Sequence, residues 1–266
     1  MKLHTVAILL STSVASSAWA ASFDCSEAQS RVEKSICSTP ALNQLDARMG
    51  YAWKKLLAAE GSNKQRYIKQ QREWLKERNQ ECSSGDKHCM EVSYHEQIRK
   101  LERQLAIAII QQRKSCNGIS ENPHLSSAIN ENGGWSTYVD SDTLILDPLD
   151  DQHIAFSLSV SGENTHMCNL TGIASKKSGH YAWTTTHFAY DSGEAQRCTL
   201  RFHSWEHGYQ TISIPQNKDN ITAMNCHTYY CGMRAAIPEG DVFIPVSRLK
   251  GDDSYCKESR EIVDEL

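Results

Sequence analysis

The sequence predicts α plus β in separate domains: an N-terminal helical hairpin bundle over residues 22–115 and a C-terminal antiparallel β-sandwich or small barrel over residues 116–266, both disulfide-stapled. Three observations carry this expectation. Composition changes near Cys116, from Gln, Glu, Lys, Arg, Leu and Ala with only Gly50, Gly61, Gly85 and Pro40, to Thr, Ser, Gly, Asn, Tyr and His. Hydrophobic periodicity changes at the same place, from repeats at three and four to alternation at two. Charge changes as well. Residues 22–115 carry 17 basic and 12 acidic side chains and residues 116–266 carry 10 and 20, so the formal net charge of -4 averages a basic part with a strongly acidic one. The composition excludes collagen, coiled-coil fibre and wholesale disorder. The charge gives no basic excess of the kind a general nucleic-acid binder carries.

The amino terminus reads as a secretory signal peptide, residues 1–20. Lys2 gives a short basic start, Thr5 to Ala15 are mostly apolar, and Ala18-Trp19-Ala20 supplies small residues around a cleavage site. Ser22-Phe23-Asp24 before Cys25 lacks the small and aliphatic residues of a lipoprotein box. No later stretch reaches the length and apolarity of a transmembrane helix. The expected location is periplasmic or secreted, where ten cysteines form five disulfides by default.

The helices follow in order. Ser30-Arg31-Val32-Glu33 fits a capping box, in which hydroxyl and carboxylate satisfy the orphan amides of a first turn. Thr39-Pro40 opens the next helix with proline at its first position. From there Leu42, Leu45, Met49, Trp53 and Leu56 form one apolar stripe. Residues 63–80 make a further helix with Tyr67, Ile68, Trp74 and Leu75, and residues 90–112 another with Ile98, Leu101, Leu105 and Ile109 on one face. Cys82 and Cys89 bracket the polar turn between them. The strands are expected at Thr143–Leu146, Ile154–Val160, Cys168–Ala174, Tyr181–Thr185, Cys198–His203, Tyr209–Ile214 and Val242–Pro245. Alternation is clearest where Ile154, Phe156, Leu158 and Val160 interleave with Ala155, Ser157 and Ser159.

Phe23-Asp24-Cys25, Val32-Glu33-Lys34-Ser35-Ile36-Cys37 and Leu42-Asn43-Gln44-Leu45-Asp46 resemble the opening of the LprI-type lysozyme inhibitor domain. The resemblance continues through Tyr51, Gln71-Arg72-Glu73-Trp74-Leu75, Arg78, Cys82, Cys89 and Tyr94. It implies an exported helical module, in some members a lysozyme inhibitor. Asn164 to Gly172, Cys198-Thr199-Leu200, Cys226 and Tyr230-Cys231-Gly232-Met233-Arg234 are similar to β domains found beside such modules. Those domains are comparable in size and cysteine use to the small barrels of periplasmic lysozyme inhibitors, whose inhibitory loop motif is missing here.

Chemistry-bearing motifs are few. His203-Ser204-Trp205-Glu206-His207 spells the H-x-x-E-H pattern of inverted zinc peptidases, which needs both imidazoles on one helical face. Two strand-like runs flank it, so the segment reads as a hairpin turn and the pattern as coincidence. Cys82, His88 and Cys89 lack metal-knuckle spacing, and Cys226 and Cys231 are not a C-x-x-C pair but structural bridge cysteines within or between strands. Cys25, Cys37, Cys82 and Cys89 are assigned to the helical domain and Cys116, Cys168, Cys198, Cys226, Cys231 and Cys256 to the β domain. The preferred pairing joins Cys116 to Cys256, and the others stay open. No nucleotide loop, nucleophile elbow or catalytic constellation is present, and neither a catalytic residue nor a metal or other cofactor is expected. Two sequons, at Asn169 and Asn220, are expected to stay bare, and Val263 to Leu266 to form a solvated acidic end.

Asp140, Asp142, Asp147, Asp150 and Asp151 are read as an acidic loop, a rim able to dock a cationic protein. The expected function is a non-enzymatic inhibitor of lysozyme or another cell-wall hydrolase, acting by occlusion. The alternatives are an immunity protein against a secreted toxic effector, an envelope scaffold without inhibitory activity, and an envelope hydrolase using the histidine turn.

Overall fold

A computed structural model describes residues 21–59, 61, 63–129, 135–163, 166–215, 221–249 and 253–264. The proposed signal peptide, Asn220 and the last two residues lie outside these. The chain runs through four helices, α1 (Arg31–Ser38), α2 (Pro40–Ala59), α3 (Lys64–Glu81) and α4 (Lys87–Gln112). Eight antiparallel strands then close a barrel in sequence order: β1 (Ile119–Ile129), β2 (Trp135–Asp150), β3 (His153–Ser161), β4 (Met167–Lys177), β5 (His180–Phe188), β6 (Ala195–Ser204), β7 (Gln210–Ser213) and β8 (Val242–Pro245). Closure comes from β1 against β8, at Ser120↔Pro245 and Glu121↔Ile244. Helix α5 (Ile221–Tyr230) sits between β7 and β8, and α6 (Val246–Leu249) and α7 (Asp253–Glu261) follow β8.

The capping box forms as expected. Ser30 Oγ accepts the Glu33 amide at 3.1 Å and the Glu33 carboxylate accepts the Ser30 amide at 2.8 Å, fixing where α1 starts. Helix α4 is about 39 Å long at 1.5 Å per residue and is the wall between the two parts. Its expected face, Ile98, Leu101 and Leu105, packs with Leu42, Met49 and Leu56 of α2. Ala106, Ile107, Ala108 and Ile110 are buried too, because the barrel covers another side of the helix, while Ile109 is only half-buried. A helix enclosed from two sides does not show a single clean stripe.

The alternation in β3 sends Ile154, Phe156, Leu158 and Val160 into the barrel, where Leu170, Trp183, Leu200, Phe202, Ile212 and Phe243 meet them. The small residues between them are not solvated, since Ala155 is fully covered and Ser157 nearly so. Their size lets helical side chains approach, and Ala155, Ile145 and Ile173 share one apolar cluster with α2 and α4. The helical and β parts are separate in sequence and continuous in packing.

Several elements differ from expectation. Strand β1 was not expected, because Asn122, Pro123 and His124 interrupt its pattern. The acidic segment read as a loop is strand β2, with Asp151 alone in the following turn. Helices α5, α6 and α7 were not expected either. Cys226 therefore lies in a helix and bridges Cys198 of β6, while Cys231 bridges Cys168 of β4, so α5 is stapled to the strands on both sides of β5. Cys25 pairs with Cys37, Cys82 with Cys89, and Cys116 with Cys256. The last closes 140 residues, and removing that much unfolded-state freedom contributes about 5 kcal/mol in the loop-entropy picture.

Beside that bridge lies Arg260, whose side chain is fully buried. Its guanidinium donates to Asp147, to the Ile110 carbonyl at 3.2 Å, to Ser115 at 3.0 Å and to Asn117 at 2.6 Å. One cation thus joins α7, the end of α4, the connecting turn and β2. Arg260→Leu strands the buried Asp147 carboxylate, with Arg113 3.6 Å away as its remaining ion-pair partner. The substitution is expected to lower the unfolding free energy by about 3–5 kcal/mol, measured by urea titration.

Candidate functional site

The helical part is organised by a buried polar spine. Tyr94 Oη donates to Asp46 Oδ1 at 2.7 Å and accepts from Arg78 Nη1 at 2.8 Å, and the Arg78 guanidinium lies 5.0 Å from the Trp74 ring. Gln97 donates to Gln71 at 2.6 Å, and the Trp74 indole donates to Ser93 at 3.1 Å. Burial, with the Asp46 carboxylate adding to it against the opposing Arg78, pushes the Tyr94 phenol far above its ordinary range. The fully buried residues of α3 are Gln71 and Arg78, both polar, so this helix is held chiefly by directional bonds. Its outer face presents Lys64, Arg66, Lys69, Arg72 and Lys76 to solvent.

A second site lies where the barrel is incomplete. Strands β4 and β5 pair only over Ser175↔Ala182, Lys176↔Tyr181 and Lys177↔His180. The rest of β5 turns an unpaired edge towards the helices. Arg48 of α2 donates to the Thr184 carbonyl at 3.2 Å, and Arg99 of α4 donates to the Thr186 carbonyl. Those carbonyls are two residues apart, the spacing of groups on one edge of a strand. Arg48 is oriented by a two-pronged ion pair with Glu102, at 2.6 and 2.7 Å.

A cleft of about 330 Å³ opens at this seam, lined among others by Arg99, Arg103, Thr171, Trp183, His187 and Tyr230. His187 stacks on Tyr229 with ring centres 3.8 Å apart, and its Nε2 lies 2.9 Å from the Tyr230 hydroxyl. His95 and His88 pack against Phe188 at the end of β5. Burial, reinforced by Arg48 and Arg99, pushes the His95 imidazole down to about 4. Burial, with Arg99 and His95 beside it, does the same to His187. Both rings are therefore neutral at pH 7.

The five aspartates of the expected rim are dispersed. Asp147 is buried under Arg260. Asp142 is buried with His124 3.0 Å away and the Ser161 amide donating at 2.9 Å; burial raises its pKa despite those partners. Asp150 accepts from Tyr51 at 2.6 Å and pairs with Lys55 at 3.0 Å and His153 at 2.8 Å. Although burial works against its charge, those bonds hold it well below the usual carboxylate range. Asp140 is half-buried and Asp151 exposed. Alternation along β2 puts Asp147 on the opposite face from Asp140 and Asp142, the register shifts between Pro148 and Asp150, and Asp151 lies in the following turn, so the five do not form one loop surface.

His203 lies on β6 with Ser213 Oγ 2.9 Å from its Nε2, and His207 sits exposed in the following turn at φ 67°. The two imidazoles do not occupy one helical face. Among the described residues no group of three or more His, Cys, Asp or Glu could hold a metal ion. Three surfaces stand out: the α3 exterior, with five exposed cations and the exposed Glu73, Glu77 and Glu81, the seam cleft, and a two-stranded extension of β1 and β2 beyond the barrel.

The neutral histidines set an acid response. Unfolded, both imidazoles return to about 6.5, so between about pH 6.5 and 4 the unfolded chain binds more protons and the fold weakens as pH falls. Asp24, Glu33 and Asp150, held low by hydrogen bonds, add to the loss below that window, and Asp142, held high, opposes it. The Tm is expected to drop between about pH 7 and pH 4.5, and to drop less in a His95→Gln, His187→Gln double variant, as read by circular dichroism.

No curated protein matches the chain, and no solved structure does. Among the described residues no helix is long and apolar enough to cross a membrane. Residues 24–113, which hold the polar spine and all four N-terminal helices, match the model of the family described as lysozyme inhibitor LprI, a similarity that covers the helical third of the chain.

Proposed function

We propose that the protein is a non-enzymatic extracytoplasmic binder that inhibits lysozyme or a related peptidoglycan hydrolase by occluding its substrate cleft. The observation that carries this reading is the match of residues 24–113 to the lysozyme inhibitor family. Five disulfides fit an oxidising compartment. We read the Asp46–Tyr94–Arg78 spine as framework, since a buried and mutually satisfied network rigidifies the fold around it.

Inhibition by occlusion needs a rigid surface complementary to the enzyme, and opposite charge speeds the encounter. Animal lysozymes of the common type are strongly basic. The β part of the chain, with 10 basic and 20 acidic residues, complements them better than the basic helical part does. Purified protein added to a basic animal lysozyme on peptidoglycan is expected to slow lysis at least about tenfold at micromolar excess. Full lytic activity at a large excess would sink the reading.

A further inference from the structure

Strands β1 and β2 run on well past the barrel. Their pairing continues without interruption from Ile119↔Ile145 to Ile129↔Trp135. The barrel neighbours stop early: β8 meets β1 only at Ser120 and Glu121, and β3 meets β2 from Thr143 onward. The eight pairs from Asn122↔Asp142 to Ile129↔Trp135 therefore form a two-stranded ribbon about 25 Å long, with no third strand on either edge among the described residues.

Such a ribbon has little stability of its own. Its root is fixed instead. His124 and the buried Asp142 pair at 3.0 Å, the Asp142 carboxylate also takes the Ser161 amide of β3, and Asn122 reaches Asp241 beside β8 at 3.4 Å. Beyond the root, Leu125 is 75% exposed and Tyr138 38% exposed. Leu125 and Tyr138 belong to successive cross-strand pairs, Leu125↔Val139 and Ser126↔Tyr138, so the ribbon carries one exposed apolar side chain on each face. Residues 115–175 contain no Lys or Arg and eight Asp or Glu. The ribbon and the strands that root it are thus free of Lys and Arg, whereas the α3 exterior carries five exposed cations beside three exposed glutamates.

We propose that the arm made by residues 122–129 and 135–142 is the element that enters the substrate cleft of a basic peptidoglycan hydrolase, with Leu125 and Tyr138 as its contact residues. This rests on the inhibitor reading above and goes further, by assigning the contact to the unmatched β part and not to the family-matched helices. Peptidoglycan hydrolases of the lysozyme type bind an extended glycan in an open cleft. The described ribbon holds no Lys or Arg, so no cation on it repels a basic enzyme, and an exposed apolar side chain on each face can meet the two walls of a cleft.

The test uses the full chain and a basic animal lysozyme. Leu125→Asp with Tyr138→Ala is expected to weaken inhibition at least about tenfold with Tm and circular dichroism unchanged, because both side chains lie outside the packed core. A second variant replaces Leu125–Val139 by Asn-Gly, closing the hairpin above the His124–Asp142 pair, and is expected to lose inhibition. Asp140→Lys is expected to slow association and to flatten its dependence on salt. Wild-type inhibition that survives in the arm variants overturns the arm and leaves the inhibitor reading standing. Absence of inhibition and of binding by the wild type overturns both. A wild-type dimer that the arm variants dissolve, with inhibition unaltered, assigns the ribbon to a second copy of the chain and also overturns the proposal.

Discussion

An eight-stranded barrel whose fourth and fifth strands share only three residue pairs has an open edge, and an open edge exposes backbone groups that must find partners. Here the partners are arginines from another part of the chain. Arg48 and Arg99 reach the carbonyls of Thr184 and Thr186, and Glu102 holds Arg48 in line. The helical part thereby completes the sheet without contributing a strand. A guanidinium presents its donors in a fixed fork, so it can span a carboxylate and a carbonyl where a lysine could not. Much else follows from that substitution of side chain for strand. The histidines beside the seam are kept neutral, α4 is enclosed on two sides, and the helices cannot separate from the barrel without leaving polar groups of β5 unpaired.

The matched family domain is consequently used in a particular way. One side of α4 packs on α2 as part of the helical bundle, and another side is given to the barrel. The module leaves in solvent the exterior of α3, five cations and three glutamates, on a helix secured by the Arg78, Gln71 and Trp74 bonds. The barrel contributes the opposite charge and the projecting ribbon. The two parts pack against each other through α4 and differ in charge, with 17 basic and 12 acidic residues in the one and 10 and 20 in the other.

The sequence disclosed the helices well, because each has either a cap or an apolar stripe that depends on local spacing. Ser30 and Glu33, Thr39 and Pro40, and the Leu42 to Leu56 series are examples. It disclosed the barrel strands where one face is apolar, as in β3, and hid them where strand residues are polar for other reasons. The pattern of β1 is broken by Asn122, Pro123 and His124, which lie in the unsupported ribbon and do not face a core. Asp142 and Asp147 read as surface acids because their partners, His124 and Arg260, lie 18 and 113 residues away. The seam was illegible for the same reason: nothing near Thr184 says that its carbonyl is met by an arginine 136 residues earlier. Helix α5 was concealed by its cysteines, which suggested a bridge between strands until each found a separate partner.

The Cys116–Cys256 bridge turns the barrel part into a covalent ring. Inside that ring the Cys168–Cys231 and Cys198–Cys226 bridges add further closures. A protease that cuts a single peptide bond between residues 117 and 255 opens a loop of this ring and releases no fragment. The ribbon can therefore be nicked while the barrel stays one molecule, still fastened to the helices. Damage to the ribbon is thereby separated from loss of the body that carries it.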